Sequence, residues 1–293
     1  MNITRQVIIV AISFVLGLIS YGVYQHFVIG PCYPFPNIAN KYKYPALLTP
    51  AMTLEHHKAM EKQPLTCTPP KTIILCYDDK FLEGILQKYR TEACGDVHIL
   101  KDHPSVAIAK FGLFSPTNAM RLERAIAWGV KQIIAIGSSA GLQKDIKPGD
   151  ILVCEKAMRD EGTSHHYLPC SKYAYPSQSL QKKLLDYLKT TNTPYRLGPS
   201  WTTDAIYRTT KFEVERYQKE GVLCVEGEAA ALFAVAAYRN IDMIALFTIT
   251  DSFANLKWEK ATDYEEKKLK TLNILFEIAL NIANDELSTS VFN

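Results

Sequence analysis

The stretch Leu223-Cys224-Val225-Glu226-Gly227-Glu228-Ala229-Ala230-Ala231-Leu232-Phe233 decides the fold. A three-residue apolar strand runs into two carboxylates, and a helix of small and apolar residues follows at once. About twenty residues on, the apolar run Met243 to Thr250 ends in Asp251-Ser252. Each piece sets an acid where a short strand stops. In a parallel α/β sheet ligands bind at the strand carboxyl ends, so the two acidic ends suggest one shared site.

The surrounding sequence supplies the rest of such a sheet. Thr72–Cys76, Val106–Lys110, Gln132–Ile136 and Ile151–Cys154 read as strands, short, β-rich and bounded by turn residues. Pro116 to Trp128, Ser179 to Thr190, Glu228 to Tyr238 and Asp263 to Ala283 read as helices, the first with proline in its opening turn. The last carries Leu269, Leu272, Leu275, Ala279 and Ile282 at helical spacing, a core-packing stripe. Strands alternating with helices predict an α/β fold: a mostly parallel mixed central sheet with helices on both sides, preceded by an N-terminal apolar helix. The expected division is 1–29 apolar segment, 30–70 extended arm with a short helix near Thr53 to Glu61, 71–287 α/β domain and 288–293 tail.

A chain of 293 residues, 47% hydrophobic and 22% charged, has the make-up of a globular protein with a sizeable core. A net charge of +3, with no Lys/Arg run interleaved with aromatics, argues against a nucleic-acid partner. Val7 to Val23 holds no charge, and none appears between Arg5 and Lys41. As a helix it would span roughly 26 Å, close to the hydrocarbon thickness once continued to Ile29. The positive charge precedes it, which predicts a single membrane anchor with the domain outside the cytoplasm. Ser20-Tyr21-Gly22 keeps a cleaved signal peptide and secretion open, and a helix docked on the protein itself is the third reading. Cys76, Cys154 and Cys224 sit in apolar runs as small buried hydrophobes, while Cys32 and Cys67 would pair if the chain is exported. No Cys/His cluster has metal spacing, so no metal site is expected.

Taken singly, Glu228 reads as a first-turn charge favoured by the helix dipole, and Asp251 as a turn cap. Further blocks change that reading. Gly137-Ser138-Ser139-Ala140-Gly141 reads as a small-residue turn, followed by Ile146-Lys147-Pro148-Gly149-Asp150. Arg159-Asp160-Glu161-Gly162-Thr163-Ser164-His165-His166-Tyr167 and Thr203-Asp204-Ala205-Ile206-Tyr207 come next, in that order. From Lys71 onward the series resembles the nucleoside phosphorylase and nucleosidase superfamily, whose motif is Val/Ile-Glu-Met-Glu followed by small residues and Leu-Phe.

The resemblance implies cleavage of the bond between a ribose and its base, phosphorolytic and purine-preferring, with no cofactor and inorganic phosphate as co-substrate. It implies a homo-oligomer, dimer or hexamer, acting on a small-molecule nucleoside. The departing sugar gains oxocarbenium character and the base leaves more easily when protonated, so acids serve both ends. By resemblance Glu228 would accept the ribose hydroxyls and Asp251 would assist the leaving base. Gly137, Ser138 and Ser139 would present backbone N–H groups, Tyr207 or Ile206 would contact the base face, Tyr207 with the better stacking surface, and Glu226, Gly227, Arg159, His165 and His166 would border the substrate.

The match departs at the phosphate element. The family's Gly-Asp-x-x-Arg after the first strand reads Tyr77-Asp78-Asp79-Lys80-Phe81 here, and the arginine before the small-residue turn is Ala135. Lys80 or Arg159 would have to supply the missing charge; alternatively Asp78 or Asp79 would orient water, making the chain a hydrolytic nucleosidase. The glycine-rich turn is bulky, Gly112-Leu113-Phe114-Ser115-Pro116, and glycine replaces the motif's methionine at Gly227. A membrane-tethered nucleoside-binding protein with little turnover is the third reading.

Overall fold

The structure is a computed structural model that describes residues 40–59 and 67–284. The expected apolar segment, most of the arm before Asn40, and the tail lie outside the described residues, so the anchor and signal readings are not addressed by them. Among the described residues no helix is long and apolar enough to cross a membrane.

Four parallel strands carry the fold, in the order β4 (His103–Lys110), β1 (Thr72–Cys76), β5 (Gln132–Gly141) and β10 (Asp242–Ser252). Ile74 pairs with Ile108 on one side and Ile134 on the other, and Ile134 in turn pairs with Ile244. Every residue of β1 is buried, as a strand covered on both faces requires. Alternation then sorts the side chains by face. Ile74, Ile134, Ile136, Ile244 and Leu246 meet α2 (Asp79–Lys88), α4 (Gln178–Thr190) and α7 (Tyr264–Ala283). Ile73, Leu75, Ile133, Ala135 and Met243 meet α3 (Ser115–Trp128) and α6 (Ala229–Arg239). Helices therefore cover both sides.

Beyond β10 the sheet curls back on itself. Antiparallel β6 (Ile151–Asp160) follows β10, then parallel β8 (Arg196–Thr203) and β9 (Cys224–Glu226), and β9 pairs with β5. The ring β5–β10–β6–β8–β9 is thus closed, which removes the sheet edge on that side. On the open side β2 (Thr91–Cys94) and β3 (Val97–Leu100) add an antiparallel hairpin to β4. Two-residue strands β7 (Tyr173–Ala174) and β11 (Glu259–Lys260) extend β6 and β10.

Three expectations are corrected. Gly137 to Gly141 is not a turn: it is the second half of β5, which runs on to Gly141. The small residues serve close packing there, since a Cβ on Gly137 would come within 2.9 Å of the Tyr77 ring. Cys67 bonds Cys94, 27 residues on, rather than Cys32. The link ties the residues just before β1 to the edge hairpin; Cys170 is also disulfide-bonded. Third, the arm's short helix, α1 (Pro50–Ala59), starts before Thr53 and packs on α3.

Local signals explain the element ends. Asp78 caps α2 by accepting from the Phe81 N–H at 2.8 Å. Thr210 and Glu213 form a capping box at the start of α5 (Lys211–Lys219). Asn240 closes α6 in the left-handed region with φ 56°.

Candidate active site

The carboxyl ends of β1, β4, β5 and β10 face one side, and β9 delivers its acids to the same place. Ala140 on β5 pairs with Asp251 on one flank and Val225 on the other. With about 4.8 Å between strands, the two acidic ends stand about 10 Å apart across one strand.

Glu226 is buried and saturated. One oxygen accepts from the Ser200 hydroxyl at 3.0 Å and from Thr202 Oγ1, and the other from the N–H groups of Glu228 and Ala229 at 2.7 and 2.8 Å. Burial pushes its carboxyl up, and these four donors oppose the shift. A carboxylate with every oxygen engaged shapes the start of α6.

Glu228 is held differently. Oε1 accepts from the Phe114 N–H at 2.8 Å and Oε2 from the Gly227 N–H at 3.2 Å, one donor on each oxygen. An ionised carboxylate has about four acceptor sites, so two remain for a ligand. Burial, then the neighbouring Glu226 charge, raises this group to about 7. Tyr77 shares the neighbourhood: burial and the charges of Glu228 and Glu226 all push its phenol up.

Asp251 follows an irregularity in the β5–β10 pairing between Ile249 and Asp251. Its oxygens accept from Thr250 Oγ1 at 2.6 Å and from the indole N–H of Trp258 at 2.7 Å. Trp258 is 61% exposed, so Asp251 lies at the mouth rather than the floor.

The remaining candidates separate into nearby and distant ones. Gly137, Ser138 and Ser139 lie on β5 beside these acids, Ser138 exposed and Ser139 buried. Gly227 sits between the two glutamates. Arg159 is buried inside its own loop, donating to Ser164 Oγ and Ser171 Oγ at 2.8 Å and to the Pro169 carbonyl at 2.6 Å; burial lowers its pKa. His165 contacts the Arg159 carbonyl at 3.2 Å and His166 contacts Lys41 of the arm at 2.9 Å. Burial first, then Arg159 and Lys41 respectively, lowers both imidazoles. Tyr207 is 96% exposed on a short 3-10 turn. Among the described residues it stacks on no ring.

The alternatives for the missing phosphate charge are spoken for. Lys80 reaches Glu265 at 3.5 Å with most of its side chain in solvent. Lys110 pairs with Asp79. Asp78 caps α2 and pairs with Lys268 at 2.7 Å. Burial pushes Asp78 up, but Lys268 and the Phe81 N–H outweigh it and its pKa falls. Among the described residues no group of three His, Cys, Asp or Glu could hold a metal ion.

Two residues enter the site that the motif reading treats only as misfits. The Tyr77 ring lies against Gly137 and the Phe114 ring against Gly227. The signal was a pair of departures from the motif, bulk gained at 77 and 114 and bulk lost at 227.

Fold and site together define a class: an α/β domain with a partly closed sheet and buried carboxylates gathered near the strand ends. The chain belongs to the phosphorylase superfamily, whose family model matches residues 73–280. It is 27% identical over 209 residues to a DeoD-type purine nucleoside phosphorylase of Clostridium novyi (strain NT), covering 70% of this chain and 84% of that protein. A DeoD-type purine nucleoside phosphorylase of Caldanaerobacter subterraneus is 32% identical over 181 residues, 61% of this chain and 76% of the relative. Among solved structures, uridine phosphorylase from Vibrio fischeri ES114 superposes with a TM-score of 0.63 at 21% identity, over 76% of this chain and 95% of that one. Purine nucleoside phosphorylase from Toxoplasma gondii, in complex with immucillin-H, gives 0.64 at 18% identity, over 75% and 92%. At such identities the structures speak for the fold.

Proposed function

We propose that this chain is a pentosyl-transferring enzyme that cleaves the N-glycosidic bond of nucleosides. The carrying observation is Glu228, a buried carboxylate with one backbone donor on each oxygen and two acceptor sites left for sugar hydroxyls. Asp251, at the mouth, would hold the proton that eases departure of the base. The chemistry needs no cofactor, and inorganic phosphate is the second substrate in the phosphorolytic reading. Purine preference is supported by the DeoD-type relatives and by an acid at position 251.

Hydrolysis is the second reading, favoured by Tyr77. Its ring fills the space over Gly137, in a neighbourhood whose charges are Glu226 and Glu228, while Lys80, Lys110 and Arg159 are engaged elsewhere. A phosphate dianion there would meet negative charge. Base release from purine nucleosides by the full chain, with and without phosphate, separates the readings. Release that requires phosphate and yields a sugar 1-phosphate supports phosphorolysis. Equal release giving free sugar supports hydrolysis, and nucleoside binding without release sinks both.

For location, the reading is a single N-terminal anchor at Val7 to Val23 with the domain outside the cytoplasm, or secretion after cleavage. Cys67–Cys94 and the bonded Cys170 support an oxidising compartment. Resistance of the membrane-bound protein to alkaline extraction would support the anchor; a soluble chain starting at Val23, after the Ser20-Tyr21-Gly22 site, would replace it with secretion. Assembly with a second copy is supported by the exposed apolar residues Ile206, Tyr207 and Phe212, and a monomer by light scattering would overturn it.

A further inference from the structure

Phe114 stands in a backbone conformation that belongs to glycine, with φ 64° and ψ 160°. That region is strained for a residue with a side chain and persists only where the surroundings over-determine it. The surroundings here do so. The Phe114 N–H donates to Glu228 Oε1 at 2.8 Å, and its carbonyl accepts from Asn118 Nδ2 at 2.9 Å. The next residue, Ser115, donates through Oγ to the Gly227 carbonyl at 2.8 Å. These bonds, with that from Asn118 Nδ2 to the Gly112 carbonyl at 3.1 Å, fasten the Gly112–Ser115 turn to the Gly227–Glu228 segment and to α3.

The ring has a separate role. A Cβ built on Gly227 would meet Phe114 Cδ1 at 3.0 Å and Cε1 at 3.5 Å, so the phenyl group occupies the space that a side chain at 227 would take. Phe114 is only half-buried. The ring therefore covers the bare glycine beside Glu228 while keeping part of its surface accessible. A carboxylate with two free acceptor sites next to an accessible apolar face suits a sugar, which presents hydroxyls on one edge and C–H groups on another.

The geometry points to Phe114 as a positioning and specificity-determining residue: its N–H aims Glu228, and its ring, seated on Gly227, forms the apolar floor of the sugar subsite. This rests on the nucleoside-cleaving reading of the same site. A consequence is that residues 114 and 227 form one unit, in which bulk on one excludes bulk on the other.

The test is steady-state kinetics and equilibrium nucleoside binding for the full chain and three variants, Phe114→Gly, Gly227→Met and the double variant. Phe114→Gly keeps the N–H and relieves the backbone, so it folds. Its KM for a ribonucleoside should rise on the order of tenfold, the size of one lost apolar contact, with kcat little changed and weaker discrimination between ribo- and 2′-deoxyribonucleosides. Gly227→Met should be damaged, and the double variant should recover KM to within a few fold of the parent. Unchanged KM and sugar discrimination in Phe114→Gly would overturn the assignment, as would a double variant no better than Gly227→Met. A parent chain that neither binds nor cleaves nucleosides would instead remove the underlying reading, which the binding measurement on that chain reports separately.

Discussion

Glu226 accepts the backbone N–H of Glu228 at 2.7 Å, so the first glutamate of the motif fixes the backbone from which the second projects. The two acids divide the work. Glu226 is spent on four internal donors, whereas Glu228 keeps acceptor capacity. Replacing Glu226 by Gln puts an amide where four donors converge and leaves a buried mismatch, at a cost of about 1–3 kcal/mol. Thermal unfolding of Glu226→Gln should show the loss, and an unchanged Tm would contradict the cage.

The Glu228 carboxyl sits at about 7 in the fold against 4.5 for the unperturbed group. Its folded pKa is raised, so the folded state binds the proton more tightly than the unfolded chain. The stability linked to that proton is complete below pH 4.5 and is lost as pH rises through 7. Activity runs the other way, because only the ionised group accepts both sugar hydroxyls. We expect kcat/KM to climb with pH to a plateau above about 7, and Glu228→Gln to lose on the order of a hundredfold while flattening the stability slope between pH 4.5 and 7. A parent pH–rate profile that is flat across that window would exclude Glu228 from this role.

Asp251 is gripped by Trp258 from a short distance along the same chain segment. Trp258→Phe removes the 2.7 Å indole donor but leaves the ring. Held then by Thr250 Oγ1 alone, the carboxylate should be less well placed and kcat should fall by about tenfold, against a hundredfold or more for Asp251→Asn if it handles the proton. Equal, small effects for both variants would place Asp251 outside the chemistry.

Much of the sheet was legible because β1 and the start of β5 are unbroken β-rich runs and α3 opens on a proline. The edge was not. Thr91–Cys94 reads Thr-Glu-Ala-Cys, with its two middle residues exposed, and such a half-solvated strand carries no apolar pattern. β6 was cut at Cys154 because Glu155 and Lys156 interrupt its apolar run, yet a register shift there lets pairing continue to Asp160. Closure of the ring depends on β9, only three residues long, meeting β5, which no local pattern announces. Glu228 lies two residues past the end of β9 and Asp251 one residue before the end of β10, so both are visible as acids near strand ends, while the roles expected of them rest on the resemblance alone. Phe114 was hidden because its role lies in a backbone angle and in a contact with a residue 113 positions away, whereas bulk at 114 alone reads as a misfit.

The disulfide gives a prediction of a different kind. Cys67–Cys94 closes a segment of 27 residues that contains β1, which lies between β4 and β5 in the sheet, and α2. In the chain-entropy account such a loop is worth about 3.5 kcal/mol through restriction of the unfolded chain. Cys94 is buried where it lies, so Cys94→Ser also puts a hydroxyl among apolar neighbours and adds to the loss. The bridge lies on the hairpin edge, on the far side of β4 from Glu228 and Asp251. Cys94→Ser should therefore lower the unfolding midpoint by several degrees while leaving KM for nucleoside within about twofold. Reductant should lower the midpoint of the parent by more than that of the variant, in which only the Cys170 bridge is left to reduce. Retention of the full midpoint after reduction would show that the bridge does not constrain the unfolded chain. A large change in KM would mean that the hairpin reaches the site through β4 and the Gly112–Ser115 turn.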